Sequence, residues 1–247
     1  EFINNYERWC LWLGDCPPEE LRQMPEAMKR VEAVRALRLA SKSAPTRKLA
    51  DTPTRFHVEN IPDKPYLVIP EVSSERRNYI PMGFMKPSTL ASNLVKIVPR
   101  ATLFHFGMLS SVMHMAWVRY VCGRLKSDYR YSNDIVYNNY PWPCDPTEKQ
   151  RTTIEESAQT VIDARAAHPD ASLADLYDPV AMPPDLRKAH QALDKAVDAA
   201  YVGAGFKPAP TKSDAERVAF LFELYHKYTS LLPAPESTKP QKKKRSK

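Results

Sequence analysis

The sequence predicts an α+β fold: a mixed-sheet domain over residues 1–143, a small α-helical bundle over residues 144–232, and a disordered basic tail over residues 233–247. Three observations predict it. Between residues 53 and 106, short runs of strand length are punctuated by proline. After Pro143, apolar residues recur at three- and four-residue steps behind helix-start patterns. The balance of charge also reverses there: residues 1–143 carry 20 Lys+Arg against 14 Asp+Glu, and residues 144–238 carry 10 against 15.

Taken in order, Phe2 and Ile3 read as part of a strand. The chain opens without Met, as a cut through a folded protein would. A helix is expected over residues 17–41. Pro17 and Pro18 suit a first turn, Glu19 and Glu20 sit at its positive end, and Leu21, Met24, Met28 and Val31 make one face. Strands are expected over 55–60, 66–69, 78–81, 95–98 and 102–106, and a helix over 108–122. Gly123 interrupts, and a polar-aromatic stretch runs to Trp142. Thr147 with Gln150 forms a capping-box pattern, and so does Ser213 with Glu216. Pro183–Pro184 precede a helix with Leu186, Leu193, Val197 and Tyr201 on one face. Three helices result, with a loop insertion over 203–212. The Pro-, Ser- and Lys-rich tail follows.

Composition excludes several function classes. The longest apolar runs are too short to span a bilayer, and no signal peptide opens the chain, so a cytoplasmic protein is expected. Cys10, Cys16, Cys122 and Cys144 make no CxxC pair and no zinc spacing; reduced thiols are their ordinary reading. The six histidines are scattered without metal-ligand spacing, and no serine sits in a nucleophile elbow. No catalytic or metal-binding residue is assigned.

What remains is charge. The excess of positive charge in residues 1–143 suits a polyanion, since each phosphate contact is a charge contact. Arg22, Lys42, Arg47, Lys48, Arg76, Arg77 and Arg124 are the candidate phosphate contacts. In the run Lys126-Ser127-Asp128-Tyr129-Arg130, an extended backbone puts Lys126, Asp128 and Arg130 on one face. A donor beside an acceptor is what reading one base pair requires, with Lys donating to guanine and Asp accepting from cytosine N4. An exposed ion pair is the ordinary meaning of the same residues. Tyr129, Tyr131 and Tyr137 also permit stacking on unpaired bases, the mark of an RNA or single-strand binder. The acidic bundle permits a protein-interaction scaffold.

Four stretches in order weigh between these readings: Glu7-Arg8-Trp9-Cys10-Leu11-Trp12-Leu13, Ser41-Lys42-Ser43-Ala44-Pro45-Thr46-Arg47, Val72-Ser73-Ser74-Glu75-Arg76-Arg77-Asn78-Tyr79-Ile80-Pro81, and residues 123–142, which lead into Pro143. Together they closely resemble the C-terminal third of type IIL (MmeI-like) DNA methyltransferases and fused restriction-methylation enzymes. The run Ser172-Leu173-Ala174-Asp175-Leu176-Tyr177-Asp178-Pro179 resembles that family's helical C-terminal domain. The resemblance covers roughly residues 1–231 and implies a target-recognition domain that reads double-stranded DNA for adenine methylation. It implies Glu71 with Asn93 as one base-reading pair and Lys126 with Asp128 as another, with Leu94 and Arg130 influencing a neighbouring base pair. It also implies an N-terminal methyltransferase domain as partner, holding S-adenosylmethionine. This chain holds no cofactor by the same reasoning: none of its six glycines forms a cofactor loop. Asn138-Asn139-Tyr140-Pro141-Trp142-Pro143 has the wrong order for the tetrapeptide that accepts an adenine amino group. Methyl transfer by this chain alone is not expected.

Overall fold

The computed structural model describes residues 1–207 and 213–230. Glu1 with Asn5–Asp63 forms one compact unit; Phe2–Asn4 with the described residues from Lys64 on forms another. The change of composition at 143/144 falls inside the second. The tail over 233–247, and residues 208–212 of the loop insertion, lie outside the described residues.

The first unit contains α1 (Pro18–Arg22), α2 (Pro25–Leu39), α3 (Ala44–Lys48) and a 3₁₀ turn, Leu49–Asp51. The one helix expected over 17–41 is therefore two. Pro25 is the cause: it has no N–H and drives the residue before it out of the helical region, so Met24 sits at φ −113°, ψ 77°. Arg38 staples the far end by donating to the carbonyls of Leu49, Thr52 and Arg55 at 2.7, 2.9 and 2.6 Å. Residues 55–60 form no strand. Glu59 instead accepts from the Phe56 N–H at 3.0 Å and from Arg55 at 2.7 Å, so the segment bonds to itself rather than to a ladder. Little is buried here: Leu21, Ala27, Val31 and Ala50.

In the second unit, Phe2–Asn4 is a 3₁₀ turn, not a strand. Two three-stranded sheets follow. The first has β1 (Tyr66–Pro70) between β3 (Gly83–Met85) and β4 (Val95–Pro99). The second has β6 (Asp128–Arg130) between β2 (Val72–Ser73) and β5 (Gly123–Leu125). The α+β class stands, but the pairing is antiparallel in both sheets where a mixed sheet was expected. A parallel pair needs a crossover, usually a helix, and no helix separates β1 from β4. All of β1 is buried, as its unbroken apolar run requires. Residues 78–81 form no strand, although Tyr79 and Ile80 are buried.

Residues 102–106 are not a strand either. Thr102 and His105 close a capping box, with the His105 Nδ1 accepting from the Thr102 N–H at 3.2 Å, and this starts α4 (Leu103–Leu109). The helix expected over 108–122 is α5 (Val112–Val121), separated from α4 by Ser110–Ser111. Ser111 caps α5 by accepting from the His114 N–H at 3.3 Å. The three helices expected after Pro143 are α6 (Glu148–Ala166), α8 (Pro184–Val202) and α9 (Asp214–Ser230), with the short α7 (Leu173–Leu176) between the first two. The Thr147–Gln150 box forms as expected.

One apolar core runs from Leu67 and Ile69 of β1 through Phe106 and Trp117 to Ile154, Leu193 and Leu221 of the late helices. Gly107 marks the tightest crossing. A Cβ there would lie 2.7 Å from Ile154 Cγ2 and 3.2 Å from both Ala158 Cβ and Leu193 Cδ1, so α4 approaches α6 and α8 closely only because the side chain is missing. Polar bonds cross the same interface. Asp194 of α8 accepts from the Val112 N–H and from the Tyr79 hydroxyl, each at 2.7 Å. Arg165 of α6 donates to the Met82 carbonyl at 2.6 Å and to the Tyr177 hydroxyl. The late helices thus hold the sheets and α5 as parts of one body.

Candidate nucleic-acid interface

Glu71 is the single residue between β1 and β2, and so the joint between the two sheets. Its N–H donates to the Leu94 carbonyl at 3.0 Å, and its carbonyl accepts from the Tyr131 N–H at 2.7 Å. The backbone of one residue therefore ties the turn before β4 to the end of β6. This brings Glu71, Leu94 and Arg130 together. Asn93 and Leu94 stand exposed in that turn, Leu94 at 65%.

The Glu71 side chain is only 12% exposed. Its Oε2 accepts from Lys96 Nζ at 2.8 Å and its Oε1 from Arg130 Nε at 3.0 Å. The Lys96 bond, aided by Arg130, holds the carboxyl below its ordinary range against the opposing effect of burial. Lys96 sits opposite Ile69 in the β1–β4 ladder. It went unnoticed in the sequence, where it is the lone charge in the apolar run 95–98. That isolation was the available clue. Beside it lies a cleft of about 390 Å³, lined in part by Ile69, Val98, Tyr131, Asn133 and Asp134.

The pairing of β5 with β6 opposes Leu125 to Asp128, leaving Lys126 and Ser127 as a two-residue turn. Lys126 has φ 57°. The expectation of a continuous extended run over 126–130 therefore fails at Lys126, which occupies the hairpin tip; Asp128 and Arg130 do share an i, i+2 register in β6. The exposed ion pair is absent too: among the described residues, no salt bridge or hydrogen bond joins Lys126 to Asp128, and none joins Glu71 to Asn93. Asp128 accepts instead from the Glu75 N–H at 3.3 Å through Oδ1, which ties the hairpin to the turn at 74–77.

The phosphate candidates divide by geometry. Arg22, Lys42 and Lys48 are exposed in the first unit, and Arg76 is exposed in the second. Arg47 is partly committed, donating to the Ser41 and Lys42 carbonyls at 2.9 Å. Arg124 braces the hairpin: it donates to Ser127 and Arg119 carbonyls at 2.9 and 3.2 Å and lies 4.2 Å over the Tyr129 ring. Arg77 is half-buried, with an Nε that has no partner, and burial lowers its pKa despite nearby Asp128 and Asp178.

Tyr129, Tyr131 and Tyr137 do not form the aromatic platform that unpaired bases need. Tyr129 and Tyr131 are buried, and the Tyr131 hydroxyl lies 3.1 Å from His114 Nε2. Tyr137 is half-buried. The stretch 138–143 is structural. Asn139 donates to the Asp134 and Ile135 carbonyls at 2.6 and 3.2 Å, Tyr201 to the Pro141 carbonyl at 2.8 Å, and Tyr228 to the Trp142 carbonyl at 2.9 Å. With Asn139 so engaged and Tyr140 buried, these residues do not fit an S-adenosylmethionine or adenine site. Among the described residues, no group of His, Cys, Asp and Glu could hold a metal ion, and no helix is long and apolar enough to cross a membrane.

A small two-sheet module with an exposed loop and hairpin, braced by helices, fits a target-recognition domain joined to a helical C-terminal domain. The chain belongs to the MmeI family: the profile described as "MmeI, target recognition domain" matches residues 1–144, and "MmeI, C-terminal domain" matches residues 146–233. It is 39% identical over 229 residues to DNA methyltransferase A of Bacillus subtilis (strain 168), covering 93% of this chain and 25% of that protein. It is also similar to the type IIL restriction-modification enzyme MmeI, solved in complex with DNA, at 50% identity and a TM-score of 0.89, covering 93% of this chain and 30% of that one. The chain thus spans about a quarter of the curated relative's length.

Proposed function

We propose that this chain is the sequence-reading part of a site-specific DNA adenine-N6 methyltransferase of the restriction-modification type. Its partners are double-stranded DNA and an N-terminal methyltransferase domain, which holds S-adenosylmethionine and carries out methyl transfer. The protein works in the cytoplasm, on the nucleoid. Lys126 with Asp128 reads one G·C pair in the major groove, and Glu71 with Asn93 reads another, with Leu94 and Arg130 acting on a neighbour. Arg22, Lys42, Lys48 and Arg76 contact phosphates, with Arg47 contributing. The likeness to an enzyme solved on DNA supports this reading. The observation that carries it is the meeting of Glu71, Leu94 and Arg130 through the two backbone bonds of Glu71.

The test is binding by the full-length protein. Duplex DNA should outcompete single strands of the same sequence. Changing Arg22, Lys42, Lys48 and Arg76 to Gln should weaken binding to every sequence and flatten the salt dependence by about one unit per lost contact. Equal competition by single strands, or an unchanged salt slope, would overturn the proposal.

A further inference from the structure

Three observations concern Lys96. First, Glu71 is held rather than free: at 12% exposure, each of its oxygens already accepts one bond from protein, which fixes the carboxylate and leaves one further lone pair on each oxygen. Second, Arg130 is 60% exposed, and only its Nε is held; among the described residues, neither of its Nη atoms bonds to protein. A guanidinium anchored at Nε presents its Nη face outward, the geometry suited to paired acceptors such as guanine O6 and N7. Third, Lys96 is 26% exposed and spends its ammonium on the Glu71 oxygen that Arg130 does not use.

We propose that Lys96 is a positioning residue for base readout: it pins one oxygen of Glu71 so that the other can aim Arg130. This rests on the reading of Glu71 and Arg130 as specificity positions. Lys96, Glu71 and Arg130 then form one mechanical unit, and the base pairs assigned to Glu71 and to Arg130 are not read independently. The Lys126–Asp128 hairpin tip lies outside that unit, since Asp128 is tied to Glu75 instead. Without the Lys96 ammonium, the carboxylate is free to turn within the joint, and Arg130 loses its fixed direction. Side chains that read bases need such support, because small displacements of a donor forfeit its discrimination. The ammonium pairs with Glu71, and Asp134 lines the same cleft; Asp134 makes no hydrogen bond to Lys96.

The experiment maps methylated sites of the full-length enzyme, carrying its own methyltransferase domain, for the wild type and for Lys96→Met, Lys96→Gln and Lys96→Arg. The neutral variants should relax discrimination at the positions read by Glu71 and Arg130 by about tenfold, the worth of one weakened base contact, and leave the Lys126–Asp128 position intact. Lys96→Arg should restore most of it, which a merely space-filling role would not. Glu71→Gln and Arg130→Gln serve as controls on the underlying reading. If these controls relax a position but Lys96→Met and Lys96→Gln do not, the inference fails and the reading stands. If the controls also leave every site unchanged, both fail. A uniform loss of binding to all sequences with a flatter salt dependence would make Lys96 a phosphate contact and overturn the inference.

Discussion

The sharpest expectation concerns the hairpin tip. Exchanging Lys126→Glu together with Asp128→Arg reverses donor and acceptor on a backbone that stays the same. Lys126 already occupies φ 57°, a conformation that disfavours any residue with a Cβ, and Glu is no worse suited to it than Lys. Asp128 loses one bond, the acceptance from the Glu75 N–H, worth about 0.5–1.5 kcal/mol. The fold should therefore survive. With Oδ1 committed to Glu75, only Oδ2 of Asp128 is free for a cytosine amino hydrogen, so discrimination belongs in the lower part of the usual range. About 1–2 kcal/mol, or roughly 5- to 30-fold between G·C and its inverse, is expected. The assay places the double variant in the full-length enzyme and maps methylated adenines genome-wide. One position of the target should change from G to C while the others hold. An unchanged target, or relaxation of every position together, would refute the assignment of these two residues as readers.

Two further expectations concern the brace behind the candidate reading surface. Gly107→Ala puts a methyl 2.7 Å from Ile154 Cγ2; overpacking costs about 1–3 kcal/mol and Ala regains about 1 kcal/mol of helix propensity, so chemical denaturation should show a modest net loss, and a gain would refute the close crossing of α4 and α6. Burial raises the Asp194 carboxyl from 3.8 to about 6, so the native state binds the extra proton and stability falls as pH rises from about 4 to about 6. Asp194→Asn should flatten that limb in urea unfolding and keep the bond from the Val112 N–H; a limb left unchanged would refute Asp194 as its source.

Much of this arrangement was legible in the sequence where an element is long. The 66–69 and 95–98 runs are strands, and α6, α8 and α9 follow from their caps and apolar faces. The failures have physical causes. Residues 102–106 look like a strand because His105 is not an obvious capping residue, yet its ring nitrogen closes the box. The helix at 17–41 was broken by Pro25 in mid-run. Strands β2, β3, β5 and β6 are two or three residues long, too short for any period to register. In the candidate site, residue types were readable but partners were not. Glu71 meets Lys96 and Arg130 across separations of 25 and 59 residues, and Arg77 and Arg124 gave no hint in sequence that burial and bracing would claim them.

The same contacts explain why a helical domain should accompany a reading module at all. The β5–β6 hairpin is too small to hold its own shape, since an isolated two-stranded hairpin is marginal in water. Here α5 grips it from both ends. Gly123 begins the hairpin directly after the Cys122 cap of α5, and Tyr131, which follows Arg130, lies against His114 within α5. Helix α5 is in turn fixed at its first residue by Asp194 of α8, and Arg119 pairs with Asp214 of α9. Burial holds His114 down to about 3, so its ring stays neutral through the physiological range and this brace does not loosen with modest acidification. Stiffness at the hairpin is thus supplied by the late helices through α5, and on the proposed reading a substitution deep in α8 would reach base discrimination without approaching DNA.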